Sequence, residues 1–402
     1  GKVYTLLWRE DLTSSAGHLC VGRSGELERV RSGLSLSARP ETVLPLILVS
    51  GPAGIGKSTL ARTAISGMPA PAVFEVAGID HPLPPFACLI QALRVYWDLP
   101  PSDHEHFQAY LEDRFASLEL RVRDAQLQDA LTRSRPYLEH VLGLTRMRVG
   151  SMEPQTRHAA ILTSWTALLA ALPGIRVVFV DDYQWLDPAS ADALSGWLAD
   201  SPTLTGLVTV RTHTADDPIV QEDTLFGRPV EHMPLQPLAP ADARTLLEVH
   251  GAPDFLSDDD ITKLIDRSAG HPFYLDQSLK YLQMQDGSAA VPDALETVIL
   301  ERMSRLSDDM RQAVETASVL GMSFDMRILS AMLRRESIPE AIQPSETDGI
   351  WSIATELDVI FSHALVRETV YHSQLDARRR SLHAQAAAAM EHLYRGAARR
   401  PH

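Results

Sequence analysis

Hydrophobic positions along this chain follow two spacings, and the balance between them changes near residue 238. Up to that point short apolar runs recur at residues 46–49, 72–77, 176–182, 206–211 and 230–235. Each has the length of a strand and is bounded by turn residues or charges, the pattern of a buried strand. Between the runs the period is helical. Leu27, Val30 and Leu34 line one face of a helix for which Ser24 is the cap, with Glu26 and Glu28 in its first turn. Residues 86–172 are helical in character, and Leu99-Pro100-Pro101-Ser102, Arg135-Pro136 and Glu153-Pro154 divide them into several short helices. Arg39-Pro40-Glu41 marks a break before the first firm strand. Residues 1–20 carry weak signals, a strand at 3–8 and a loop at 13–17.

After Leu238-Ala239-Pro240 nearly everything is helical: 241–250, 257–269 and 273–285, then two or three helices in 291–335 with a new start at Ser307-Asp308-Asp309. In the second of these, Ser257 caps, Asp258 to Asp260 fill the first turn, Ile261, Leu264 and Ile265 share a face, and Gly270 stops the helix. Residues 349–361 alternate like a short hairpin, followed by helices at 364–372 and 376–395, the last with Leu382, Ala386 and Met390 turned inward. Strands alternating with helices predict a doubly wound parallel sheet. The expected division is an N-terminal extension at 1–20, an α/β domain at 21–237, a helical lid at 238–288, a winged-helix domain at 289–374 and a C-terminal helix at 375–402.

The chemistry concentrates where strands end. The first strand runs into Gly51-Pro52-Ala53-Gly54-Ile55-Gly56-Lys57-Ser58-Thr59, a phosphate loop with a strand before it and a helix after it. Glycines let successive backbone N–H groups curl around a polyphosphate, and the helix N-terminus adds partial positive charge. Lys57 is placed to reach the β/γ-phosphates of a nucleotide and Ser58 to hold Mg²⁺. The strand at 176–182 ends in Asp181-Asp182, at the carboxyl edge of the sheet where ligands of α/β folds lie. That pair looks like a Walker B element, with Asp181 linked to Mg²⁺ and Asp182 positioned to orient or deprotonate a water. Arg211, ending the next strand, is the cation placed to sense a γ-phosphate. At least one strand must separate the loop strand from the acidic strand, which predicts the additional-strand type of P-loop NTPase sheet.

A formal net charge of −15 repels nucleic acid overall, so direct DNA binding by this chain is not expected. The arginine-rich stretches Arg121-Val122-Arg123 and Arg146-Met147-Arg148 read as solvated helix faces. Two cysteines, Cys20 and Cys88, form no disulfide framework and read as reduced, buried thiols of an intracellular, cytoplasmic protein. The apolar stretch at 159–172 is too short and too interrupted to span a bilayer. The chain begins with Gly1, not Met, as a piece of a longer protein would.

Taken in order, Val21-Gly22-Arg23, the phosphate loop, Val178-Phe179-Val180-Asp181-Asp182-Tyr183-Gln184-Trp185-Leu186-Asp187, Gly270-His271-Pro272-Phe273 and Phe361-Ser362-His363-Ala364-Leu365-Val366-Arg367-Glu368 resemble the nucleotide-binding core of STAND ATPases, in particular that of large LuxR-type regulators. The resemblance runs from residue 21 to about residue 392. It implies that Val21, Gly22 and Arg23 lie against adenine and ribose, that Pro272 is the lid proline packed on the base, and that His363 is the winged-helix histidine that touches the β-phosphate of ADP in some members. It implies ATP/ADP and Mg²⁺ as ligands, appended sensor or effector domains as partners, and nucleotide-dependent homo-oligomers. Arg211 departs from the family pattern, standing in Val-Arg-Thr-His where relatives more often show Thr-Tyr-Arg. The sequence ends at His402, where the family usually continues into helical sensor repeats and a DNA-binding helix-turn-helix, and neither is among these residues. The expectation is a slowly hydrolysing conformational switch in signalling or transcription, closed with ADP and open with ATP. Two alternatives are an initiator-like AAA+ ATPase that binds DNA through its winged helix and a scaffold that holds ADP without turnover.

Overall fold

The computed structural model describes residues 20–35, 44–69, 72–79, 84–99, 107–142, 153–212, 217–220, 222–251, 256–283, 294–334, 350–353 and 358–395. The strand at 3–8, the loop at 13–17, the break at 39–41 and the arginine run at 146–148 lie outside them. By its internal contacts the chain divides into two units, Gly1–Pro52 with Lys57–Leu235, and Ala53–Gly56 with Gln236–His402.

The first unit is built on β1 (Leu46–Gly51), β2 (Val73–Ala77), β3 (Val177–Asp181), β4 (Thr205–Arg211), β5 (Thr224–Leu225) and β6 (Arg228–Pro234). Their order across the sheet is β2-β3-β4-β1-β6-β5. β1 runs parallel to β4 and β6, and β3 parallel to β2 and β4, so β4 separates the loop strand from the acidic strand as expected. Only the two-residue β5 is antiparallel. No hydrophobic pattern announces it, because it exists through its pairing with β6. β1 and β3 are buried along their whole length, which is why they read as unbroken apolar runs and not as alternation.

The accompanying helices are α1 (Ser24–Ser35), α2 (Lys57–Ile65), α3 (Ala87–Trp97), α4 (Phe107–Arg121), α5 (Ala125–Val141), α6 (Pro154–Ala171) and α7 (Pro188–Asp200). Phe74 of β2 meets Trp197 of α7 edge-on at 5.6 Å, inside a core that also buries Trp97, Phe115 and Trp165. Helix α1 starts at Ser24 itself, not after it. The proline expected to divide residues 125–141 does not: Pro136 sits inside α5. A proline there costs about 3 kcal/mol, and burial of Leu131 and Leu138 on either side of it offsets that loss. Pro154, by contrast, opens α6, where its missing N–H costs nothing. Arg228 is buried at the start of β6, its guanidinium donating to the carbonyls of Leu44 and Leu204.

The second unit contains α8 (Pro240–Val249), α9 (Asp258–Ser268), α10 (Pro272–Gln283), α11 (Leu295–Arg305), α12 (Asp308–Ala317), β7 (Ser323–Asp325), α13 (Met326–Leu333), β8 (Trp351–Ile353), β9 (Asp358–Phe361), α14 (Ala364–Ser373) and α15 (Asp376–Arg395). Ser257 caps α9 in a reciprocal capping box with Asp260. The expected hairpin is β8 against β9, and β7 adds an unforeseen third antiparallel strand in the order β7-β9-β8. Phe324, Trp351 and Phe361 pack edge to face between these strands. Among the described residues no helix is long and apolar enough to cross a membrane. Cys88 is buried and Cys20 only partly so, which corrects the expectation of two buried thiols.

Candidate nucleotide site

The loop after β1 takes its shape from glycines at positive φ, 77° at Gly54 and 100° at Gly56, a region that side chains with a Cβ rarely enter. Helix α2 opens at Lys57, so its first N–H groups lack helical acceptors, the arrangement that suits an anion. Lys57 is buried, and its ammonium donates to the carbonyls of Gly51 at 3.0 Å and Pro52 at 2.9 Å. Burial lowers its pKa, and the Asp182 and Asp181 carboxylates work against that.

Ser58 and Arg62 stand four residues apart on one face of α2, and both address Asp181. Ser58 Oγ donates to Asp181 Oδ1 at 2.8 Å, and the Arg62 guanidinium donates to Oδ2 at 2.6 Å. A third donor comes from β4: Thr209 Oγ1 lies 2.5 Å from Oδ1 and accepts the Asp182 N–H at 2.9 Å. Arg62 Nε also lies 3.8 Å from Glu75 Oε1 on β2. Burial pushes the Glu75 carboxyl up to about 8, with Arg62 opposing and Asp181 reinforcing the shift.

Asp182 adopts a left-handed conformation, φ 53°, of the kind that clusters at functional sites. Burial first and the Asp181 charge second raise its pKa. Gln184 holds it, donating to Asp182 Oδ1 at 3.0 Å while its own carbonyl accepts the Arg211 N–H at 2.9 Å. Arg211 stands in register with Gly51, so its backbone is at the loop. Gly78, just past β2, donates its N–H to the Asp181 carbonyl at 2.8 Å. A Cβ on Gly78 would fall 2.2 Å from the Asp182 carbonyl oxygen.

Asp187 has a different task. Its carboxylate caps α7 through the N–H and hydroxyl of Ser190 and accepts the N–H groups of Phe86 and Cys88, where α3 begins. Burial raises its pKa, but these donors outweigh burial and hold it below the usual value.

Gly22 turns at φ 69°, and Arg23, buried, donates to Glu26 at 3.2 Å as α1 begins. The loop tip, Ala53 to Gly56, groups with the second unit. There His271 Nε2 lies 3.0 Å from the Ala53 carbonyl, and its Nδ1 faces the Tyr274 N–H, so the proton sits on Nε2. A Cβ on Gly54 would come within 2.7 Å of Phe273 Cβ. Pro272 opens α10. His363 caps α14, its Nδ1 accepting the Leu365 N–H at 3.1 Å, and its ring stacks on Phe273 at 3.7 Å.

Ser58 and Asp181 supply hydroxyl and carboxylate oxygens one hydrogen bond apart, the hard donors Mg²⁺ takes with water and phosphate completing its shell. Among the described residues no three His, Cys, Asp or Glu side chains gather to hold a metal by themselves. Thr209, Gln184, Arg62 and Glu75 are missing from the sequence-based set. Two of them left a signal, Arg62 in its spacing from Ser58 and Gln184 in its place just after Asp182.

Residues 19–210 match the family described as the AAA ATPase domain. No curated protein matches the chain. Among solved structures the chain is similar to a Signal Transduction ATPase with Numerous Domains (STAND) from Pyrococcus horikoshii that carries a tetratricopeptide repeat sensor, with 16% identity and a TM-score of 0.48; the match covers 91% of this chain and 44% of that one. The chain thus spans less than half the length of that structure. It is also similar to the ORC1 protein of Aeropyrum pernix, solved in complex with DNA, at 15% identity and a TM-score of 0.39 over 92% of this chain and 97% of that one. A third is the RuvB Holliday junction branch migration motor of Thermotoga maritima, at 16% identity and a TM-score of 0.33 over 86% and 94%.

Proposed function

We propose that the chain, whose residues 19–210 match the AAA ATPase domain family and carry a P-loop NTPase sheet, is the regulatory core of a STAND-class signalling or transcription protein, a switch that rests with ADP and changes conformation on exchange for ATP. The observation that carries this reading is a run of contacts inside the second unit: Ala53 to His271, then along the chain to Phe273, whose ring stacks on His363. Residues at the loop tip are thereby tied to the helix cap beside the three-stranded sheet. A ligand that binds the two arrangements of such an element unequally shifts its population.

In this reading Lys57 exchanges the carbonyls of Gly51 and Pro52 for the β/γ-phosphates. Ser58 and Asp181 hold Mg²⁺, which when bound neutralises charge on the phosphates. Asp182, its basicity raised by burial, takes the proton of the attacking water, and Gln184 fixes its carboxylate. Arg211 reports the γ-phosphate, Val21, Gly22 and Arg23 flank the base, Pro272 packs on it, and His363 reads the β-phosphate. Hydrolysis is the slow reset.

Labelled ADP and ATP titrated against the wild type and Lys57→Ala test this. We expect saturable binding by the wild type and at least a tenfold loss in the variant, about 1.4 kcal/mol. A wild type that binds neither nucleotide overturns the reading.

A further inference from the structure

The site's acidic strand already has a cation of its own. Arg62 reaches Asp181 Oδ2 at 2.6 Å, while Oδ1 takes the two hydroxyls of Ser58 and Thr209. Both carboxylate oxygens are therefore engaged from within the chain, and one of the partners is a full positive charge. A divalent cation seated between Ser58 and Asp181 would lie within a few ångströms of that guanidinium, where two positive charges repel strongly in a poorly hydrated site. The structure also offers the guanidinium a second place. Glu75 Oε1 lies 3.8 Å from Arg62 Nε, and it is a buried oxygen without a hydrogen-bond partner. β2 and β3 pair in register so that Ala77 faces Asp181 and Glu75 faces Phe179. This sets the two carboxylates along one edge, two residues apart, within the sweep of one long side chain.

We propose that Arg62 is a resident counter-ion of Asp181 that Mg²⁺ must displace, and that Glu75 receives the displaced guanidinium. Arg62 is then a positioning residue that sets how much Mg²⁺ the site requires, a role distinct from bracing α2 against the sheet. The inference rests on the Mg²⁺–nucleotide reading above.

The test is the Mg²⁺ concentration that half-saturates binding of a fluorescent ADP, measured on the wild type, Arg62→Met, Arg62→Lys and Glu75→Gln, with thermal unfolding in EDTA as a check of folding. Removing the competing charge in Arg62→Met lowers the half-saturating Mg²⁺ by about tenfold; Arg62→Lys, which keeps the charge, stays near the wild type. Glu75→Gln, which removes the carboxyl oxygen near Arg62 and the group able to ionise when the guanidinium arrives, raises the requirement. A wild type that needs Mg²⁺ beside an Arg62→Met variant with the same or a higher need overturns this inference alone. A wild type that binds no nucleotide overturns the reading it rests on, and this inference with it. If Arg62→Met does not fold, Glu75→Gln decides, and an unchanged Mg²⁺ requirement there rejects the handover.

Discussion

Thr209 is fully buried, and one hydroxyl on it serves both aspartates: it donates to the Asp181 carboxylate and accepts the Asp182 N–H. Thr209→Val keeps the shape and removes both bonds, leaving a buried N–H without a partner. We expect a loss of about 1–3 kcal/mol in urea unfolding, with hydrolysis impaired as Asp182 loosens. Asp182→Asn should leave ADP affinity near that of the wild type and slow single-turnover hydrolysis by roughly 10²-fold; an unchanged rate would remove Asp182 from the chemistry. Glu75 supplies a pH signature. Its folded pKa, about 8, lies above the unfolded 4.5, so its neutral form favours folding at low pH. Stability therefore falls as pH rises from about 4.5 to about 8 and then levels off. Glu75→Gln should flatten that part of the profile, and equilibrium unfolding at pH 5, 7 and 9 checks it.

At the scale of elements, Asp187 fastens the starts of α7 and α3 together through four donors. Asp187→Ala leaves the buried N–H groups of Phe86 and Cys88 open and should cost about 3 kcal/mol, read by urea unfolding. Because hydrogen bonds hold its folded pKa below 3.8, its contribution is full above that value and drains away as the pH falls further. The loop, the acidic strand and the capped helices were legible in the sequence because each depends on neighbours within a few residues. Lys57, Ser58, Asp181 and Asp182 belong to such local patterns. Gln184 belongs to the same stretch as Asp182 but carries no charge to mark it, while Thr209 and Glu75 reach the site only because β4 lies between β1 and β3 and β2 lies beyond. The proline within α5 misled for the complementary reason, since packing on both sides of Pro136 overrides a local preference. β5 and β7 were silent because strands of two and three residues borrow their order from their partners.

For the molecule as a whole, a net charge of −15 makes tight association with duplex DNA the unexpected result. A gel shift at low salt should show no complex, and firm binding by this chain alone would favour the initiator-like alternative. Nucleotide should act as a stabiliser of the folded chain: ADP at a hundredfold excess over its Kd adds about 2.7 kcal/mol, visible in calorimetry and lost in Lys57→Ala. Gly78 carries the last consequence. Its missing side chain is what lets the backbone of Asp182 sit where it does, and its own contribution to the site is a backbone N–H that any residue but proline would keep. A single methyl at that position would press on the backbone carbonyl of Asp182 and on Trp185, and no residue of the loop from Gly51 to Thr59 is among its nearest neighbours. If the proposed switch holds, the pace of its reset is thus open to adjustment, by selection or by design, from a position that carries no side chain.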